Sequence, residues 1–351
     1  MKHDKIRILL ADDSLVPRKL YRHFLEADGD FDVVGEAVNG EEAVNMAELL
    51  NPDVISMDIE MPKMNGIEAT KKIMESFAKP VVIVSSLYQP GNVQLSMECL
   101  AAGAVAIIPK PPGPGHPEYQ KLSLQYTRTL KTMAEVKVVR RKQTISMQSI
   151  RTQPQQNTTV TKSVNPYEIL VIGASAGGPG SLKKILSELS QKITIPIAIV
   201  QHIDNNFAEG FAQWISTFSK LPVEKVRGDM PLLPGRVYLS VLPKHLVIKS
   251  KNKIGLCNGI SESEIIPSVD KLFTSANKIF GANTIAVLLS GMGWDGAFAL
   301  KQLKEVGAYT IIQDESSCLV FGMPGEAAKL NAHIDSIPPE QIAWKINSLL
   351  L

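Results

Sequence analysis

The sequence predicts an α/β protein made of two doubly wound parallel-sheet domains joined by a linker. Three observations predict it. Short apolar runs alternate with helical patterns along both halves of the 351-residue chain. The runs are continuously apolar, as strands buried on both faces must be. Between the halves, "QTISMQSIRTQPQQNTTVTKSVNP" (143–166) is polar and loses all periodicity, which is the composition of a flexible linker.

In order, the first half carries "IRILL" (6–10), "FDVVGEA" (31–37), "DVISM" (53–57), "VVIVS" (81–85) and "AVAIIP" (104–109). The segments between them, "VPRKLYRHFLEA", "GEEAVNMAELL", "GIEATKKIMESF" and "NVQLSMECLAAG", have helical spacing. Five βα units with short connections imply a parallel sheet covered by helices on both faces. A last helix, with Leu122, Tyr126, Leu130, Met133 and Val136 on one stripe, closes this domain. In the second half the expected strands are "EILVIG", "IPIAIVQH", "RVYLSV", "HLVIKS", "TIAVLLS" and "YTIIQ". Helices follow "GGPGS", start near Phe207, run through "SVDKLFTSANKIF", and follow "GWDGA". The expected boundaries are 1–130, a basic polar linker over 131–166, and 167–351.

Hydrophobic residues make up 44% and charged residues 21%, and the net charge is +2, so no overall field argues for nucleic acid or membrane. The charge is uneven: nine Lys/Arg face two acids between Pro111 and Asn165. A solvated linker face explains this more simply than a binding patch. Three scattered cysteines form no disulfide framework or zinc pattern and fit a reducing compartment. The N-terminus has no signal-peptide pattern and no apolar segment is long enough to span a bilayer, so the expected setting is the cytoplasm.

Acids cluster where the strands of the first half end. Asp12 and Asp13 follow the first strand and Asp58 ends the third. Sites in doubly wound sheets form outside the carboxyl ends of the strands. Three carboxylates gathered there repel unless a hard cation such as Mg²⁺ sits among them. Ser85 ends the fourth strand and Lys110 follows the fifth, where a hydroxyl and an ammonium can hold a phosphoryl group on Asp58. Any one of these residues alone reads as a cap or a surface group. Together, "LLADDS", "SMDIEMPKMNG", "VSS" and "IPKP" resemble the response-regulator receiver domain over residues 5 to about 125. The resemblance implies a flavodoxin-like fold, Asp58 as phosphoacceptor, and Asp12, Asp13, Asp58 and the Glu60 carbonyl as Mg²⁺ ligands. It implies Ser85 and Lys110 as switch residues, and a sensor histidine kinase as phosphodonor.

The second half opens on "EILVIGASAGGPGSLKKILSELS" (168–190). "GASAG" (173–177) fits a G-x-S-x-G turn between strand and helix, which exposes a serine hydroxyl. A dinucleotide loop fits poorly because Ser175 stands where G-x-G-x-x-G needs glycine. A tight βα turn with an incidental serine remains the plain alternative. A nucleophilic serine needs a base, and the base needs an orienter. His202 ends the next strand; His245 competes. Asp295, in a glycine-rich loop after an apolar strand, is the first candidate orienter, with an N-cap as its ordinary role and Asp204 and Asp229 as alternatives. The order Ser175, His202, Asp295 differs from that of α/β-hydrolases.

With "VQHI", "LPGRVYL", "PSVDKLF", "LLSGMGWDGA" and "FGMPGEA" added, nearly the whole chain resembles the chemotaxis protein-glutamate methylesterases, the CheB family. The resemblance implies a Rossmann-like esterase domain, Ser175, His202 and Asp295 as its catalytic residues, and an oxyanion contribution from Met292. It implies no cofactor for the esterase. It also implies hydrolysis of glutamate γ-methyl esters on chemoreceptor helices, with deamidation of receptor glutamines left open, and a receiver that covers the esterase cleft until phosphorylated. Two departures stand out: Ala176 and Ala208 replace hydroxyl residues usual in the family. If an oxyanion bond is missing, about 1–4 kcal/mol of transition-state stabilisation goes with it. A phospho-regulated interaction module with a degenerate esterase domain is the alternative, and a nucleotide-binding output domain a weaker one.

Overall fold

The computed structural model describes residues 5–85, 90–139, 166–259, 261, 263 and 265–351, with backbone alone for 90–93. The first domain runs β1 (Ile6–Ala11), α1 (Leu15–Asp28), β2 (Phe31–Ala37), α2 (Gly40–Leu50), β3 (Val54–Asp58), α3 (Gly66–Ser76), β4 (Val81–Ser85), α4 (Pro90–Ala102), β5 (Ala106–Pro109) and α5 (Tyr119–Ala134). Its sheet is parallel, in the order β2-β1-β3-β4-β5. The central strands are buried throughout, which is why they read as unbroken apolar runs. Asn39 and Asn65 cap α2 and α3 by accepting the N–H groups of Glu42 and Glu68. Helix α5 continues past position 130 to Ala134, because Leu130, Met133 and Val136 keep its apolar stripe on the core. The expected linker therefore starts inside packed structure, and its remainder, 140–165, lies outside the described residues.

The second domain runs β6 (Ile169–Ala174), α6 (Gly178–Glu188), β7 (Ile197–Gln201), α7 (Asn205–Ser216), β8 (Val223–Val226), β9 (Met230–Pro231), β10 (Val237–Ser240), β11 (His245–Ser250), β12 (Lys253–Cys257) and α8 (Val269–Phe280). It continues through β13 (Thr284–Leu288), α9 (Ala297–Glu305), β14 (Tyr309–Gln313), α10 (Met323–Lys329), β15 (Asp335–Ile337) and α11 (Pro339–Leu350). Seven parallel strands take the order β15-β14-β13-β6-β7-β10-β8. With the edge strand β8 set aside, this is the doubly wound 3-2-1-4-5-6 order, whose reversal falls at β6. The expected strand "HLVIKS" departs from this sheet. As β11 it forms an antiparallel sheet with β12 and β9. A short turn joins β11 to β12, and a crossover to a parallel strand needs a dozen residues or more. Strands β8, β9 and β15 are short and edge-lying, and β12 has only two buried residues, so their apolar signal is weak.

The two domains touch. Helix α4 packs against α6 and α7. Glu98 on α4 accepts the Trp214 indole N–H at 2.8 Å and pairs with Lys183 at 3.0 Å. Gln125 on α5 donates to Asp204 at 2.7 Å, and Val139 N–H donates to the Leu319 carbonyl. Among the described residues, no helix is long and apolar enough to cross a membrane.

Candidate active site

Both sheets gather acids at their carboxyl edges, where the strand order reverses. In the first domain, carboxylate atoms of Asp12, Asp13 and Asp58 lie within 4.8 Å of one another. Asp12 and Asp58 are buried; Asp13 and Glu60 are exposed. The Lys110 ammonium bridges the buried pair, 3.2 Å from Asp12 and 2.7 Å from Asp58. Burial pushes the Asp58 carboxyl up to about 6 against the pull of Lys110, and the Asp12 charge adds to the rise. Ser85 is buried at the end of β4 and accepts a 3.0 Å hydrogen bond from Ser96 on α4. Asp12, Asp13, Asp58 and Lys110 thus meet, with Ser85 at the end of the neighbouring strand β4; the Glu60 side chain is exposed, and only its carbonyl was expected to act.

In the second domain the three strand ends are adjacent. The nucleophile turn follows β6, His202 follows β7, and Asp295 follows β13, and β6 pairs with both neighbours. The turn is shaped by small residues. Gly177 has φ +81°, and a Cβ there would sit 2.5 Å from Leu319 Cβ and 2.7 Å from Ser290 Oγ. A Cβ on Gly178 would lie 2.3 Å from Gln201 Oε1. Only glycine lets the chain turn this tightly into α6, with Pro179 in its first turn.

His202 Nε2 lies 2.8 Å from Asp295 Oδ2. Because Nε2 faces the carboxylate, Nδ1 is the ring nitrogen left to take a proton. Asp295 sits at the N-terminus of α8. It accepts Val269 N–H at 2.6 Å, the Ser268 hydroxyl at 2.8 Å and Asp270 N–H at 3.2 Å. Burial alone would raise its carboxyl. The His202 bond, with the Val269 and Ser268 donors, outweighs burial and holds it down at about 2. The neighbouring Asp270 is pushed the other way, to about 6, by burial and by the charge of Asp295.

The competing candidates are occupied elsewhere. His245 is wholly buried; its Nε2 meets the Gly259 carbonyl and its Nδ1 accepts Ser268 N–H. Asp204 caps α7 and accepts from Gln125, and Asp229 pairs with Lys249 and Lys253. Sequence reasoning missed Ser268 as a ligand of Asp295, although its N-cap position before "VDKLF" is a readable signal. It also missed Ser290, whose carbonyl accepts Ser175 N–H and whose hydroxyl donates to the Ala176 carbonyl.

Ser175, Ala176, His202 and Met292 line one cavity of about 290 Å³. Leu100, Val105, Ala106, Ile107 and Met133 of the first domain form its opposite wall. In this arrangement no hydrogen bond joins the Ser175 hydroxyl to His202 among the described residues; such bonds often tighten only with substrate bound. Ala208 is buried in α7 and is not among the lining residues, so of the two missing hydroxyls only that of Ala176 faces the site.

Comparison with known proteins bears on both sites. Residues 170–346 match the CheB methylesterase family model and residues 8–116 the response regulator receiver domain. The chain is 41% identical over 344 residues to a protein-glutamate methylesterase/protein-glutamine glutaminase of Hahella chejuensis, covering 97% of this chain and 98% of that one. It is 40% identical to one of Geobacter metallireducens, with 99% of each chain covered. Among solved structures, the Thermotoga maritima CheB methylesterase catalytic domain is similar at 32% identity and a TM-score of 0.51, over 52% of this chain and 98% of that one. The two family models, one for each doubly wound domain, and relatives about 40% identical over nearly the whole chain make this chain a member of the CheB methylesterase family.

Proposed function

We propose that this chain is a phosphorylation-regulated protein-glutamate methylesterase acting on γ-methyl esters of chemoreceptor helices. The observation that carries the reading is the 2.8 Å His202–Asp295 bond on the wall of a cavity that Ser175 shares. Ser175 Oγ attacks the ester carbonyl and gives its proton to His202 Nδ1. Asp295 keeps Nε2 protonated, orients the ring and stabilises the imidazolium. The Met292 backbone N–H and the N-terminus of α6 stabilise the oxyanion. Methanol leaves with the proton from His202; water, deprotonated by His202, then releases glutamate. The same acyl chemistry on a glutamine side chain releases ammonia, so receptor deamidation belongs to the proposal. With Ala176 beside the nucleophile, backbone donors carry the oxyanion.

In the first domain Asp58 accepts a phosphoryl group from a sensor histidine kinase, and Lys110 and Ser85 contact it. The hard carboxylate oxygens of Asp12, Asp13 and Asp58 suit Mg²⁺, which with the Glu60 carbonyl would neutralise charge around the phosphoryl group. The Ser85–Ser96 bond supports a route from phosphorylation to α4, the helix seated on α6 and α7. A cavity of about 290 Å³ admits a glutamyl ester side chain, whereas a helix about 10–12 Å across does not fit while the first domain forms one wall. Phosphorylation of Asp58 shifts the domain equilibrium toward an open cleft. The setting that substrate and phosphodonor require is the cytoplasm.

The test is methanol release from methylated receptor, with and without acetyl phosphate. Acetyl phosphate should raise the wild-type rate, and Ser175→Ala should abolish it. Deleting residues 1–160 should raise the rate without phosphodonor; an unchanged or lower rate would rule out simple steric cover. An inactive wild type would leave the degenerate-module alternative.

A further inference from the structure

We infer that Gln201 is a positioning residue of the esterase site, its single carboxamide fastening the nucleophile turn to the general-base segment. The inference rests on the proposed roles of Ser175 and His202. Gln201 ends β7 and is 6% exposed. Its Nε2 donates to the Ser175 carbonyl at 2.8 Å and to the His202 carbonyl at 2.9 Å. Both N–H groups of the amide are therefore spent on the two residues between which the proton must pass.

The sheet explains why a side chain is needed there. The last registered pair of β6 and β7 is Ala174 with Gln201. One more backbone bond follows, His202 N–H to the Ala174 carbonyl at 2.9 Å. Beyond it the chain turns at Ser175 into α6 and the strand ladder stops. The carboxamide extends the hydrogen bonding by one step past the ladder, onto the two reacting residues. The Ser175 carbonyl also accepts Gly178 N–H at 2.8 Å, so the turn is held from within and from β7.

The orientation of the amide is fixed by what it cannot do. Gln201 Oε1 is buried and has no hydrogen-bond partner among the described residues, and it lies against Gly178. Rotating the amide half a turn would point this oxygen at two carbonyl oxygens and strand two donors instead. An isosteric carboxylate would set a charged oxygen against the same two carbonyls and offer them no donor. A glutamine with an orphaned oxygen is the arrangement expected where the two donated bonds outweigh the unpaired acceptor. Misplacing reacting groups by about 1 Å can slow a reaction about 100-fold.

The experiment uses the full chain with acetyl phosphate and measures kcat and KM for methanol release from methylated receptor membranes. Wild type, Ser175→Ala, Gln201→Glu and Gln201→Met are compared, with circular dichroism and thermal melting of each. Gln201→Met keeps the shape, brings no charge and removes both donors. Both Gln201 variants should fold, keep KM within about twofold and lose about 10–100-fold in kcat. Wild-type kcat in folded Gln201→Met overturns the inference. So does a loss that only tracks the unfolded fraction, or failure of both variants to fold, which assigns Gln201 to the fold alone. Retained turnover in Ser175→Ala instead overturns the esterase reading, whatever the Gln201 variants do.

Discussion

Asp58 and Asp295 occupy comparable places in the two domains, yet their acidities move apart. Each is buried at the carboxyl edge of a doubly wound parallel sheet, next to the strand where the order reverses. Burial drives Asp58 up to about 6, while Asp295 is held at about 2. The difference lies in the donors. Asp58 has the Ile59 N–H and a lysine shared with Asp12, whose own charge opposes it. Asp295 has a histidine, a hydroxyl and two N–H groups at the start of α8. The same fold position thus gives one carboxylate with few donors and one well supplied with them, which suits the proposed roles of phosphoacceptor and imidazolium partner. Burial does not decide the acidity; the supply of N–H and O–H donors does.

The sharpest way to break this comparison is to neutralise each carboxylate. Asp295→Asn should lower kcat for methanol release about 10³–10⁴-fold with or without acetyl phosphate, because the amide no longer stabilises the imidazolium. Asp58→Asn should leave the basal rate within about twofold and abolish only the activation. If both variants gave the same phenotype, the division of roles would fall. Next in size is the domain contact. Glu98→Ala removes the partner of both Trp214 and Lys183, and should raise the unphosphorylated rate about 3–10-fold, equivalent to about 1 kcal/mol. A rate unchanged from wild type would show that this contact does not hold the cleft shut.

Ser268→Ala tests the donor supply of Asp295 directly. It should cost about 1 kcal/mol of stability as a lost cap and slow turnover a few-fold, read by thermal melting and kcat. The smallest effect is one of pH. Burial opposes ionisation of Glu98, but the Trp214 and Lys183 bonds outweigh it and hold its carboxyl below the usual glutamate range. A depressed carboxylate contributes its stabilisation above its unfolded value and loses it as pH falls through the folded one. Small-angle scattering should therefore show the domains separating slightly in that acid window, and Glu98→Gln should flatten the dependence.

Most of both sites was legible because each sits at the end of an apolar run. "IRILL", "DVISM", "EILVIG" and "TIAVLLS" mark strands by pattern alone, and the polar residues just past them are forced to the sheet edge. The choice of His202 over His245 was readable for the same reason. His245 begins a strand that pairs antiparallel with its successor, which its sequence does not reveal. Ser268 and Gln201 escaped notice because their work is done on residues far along the chain: Ser268 meets Asp295, and Gln201 meets Ser175. Glu98, the one charged residue of α4, carries no local signal of its role, since its partners belong to another domain.

By itself, the sequence determined the two parallel-sheet domains, the acids and serine at their strand ends, and the family, because burial periodicity and turn chemistry are local properties of the chain. Tertiary structure alone decided which ring nitrogen of His202 faces Asp295, which donors set Asp295 and Asp58 apart, and that the first domain walls the esterase cavity. Those depend on hydrogen bonds and contacts between residues that only the folded chain brings together, and no local pattern encodes their partners.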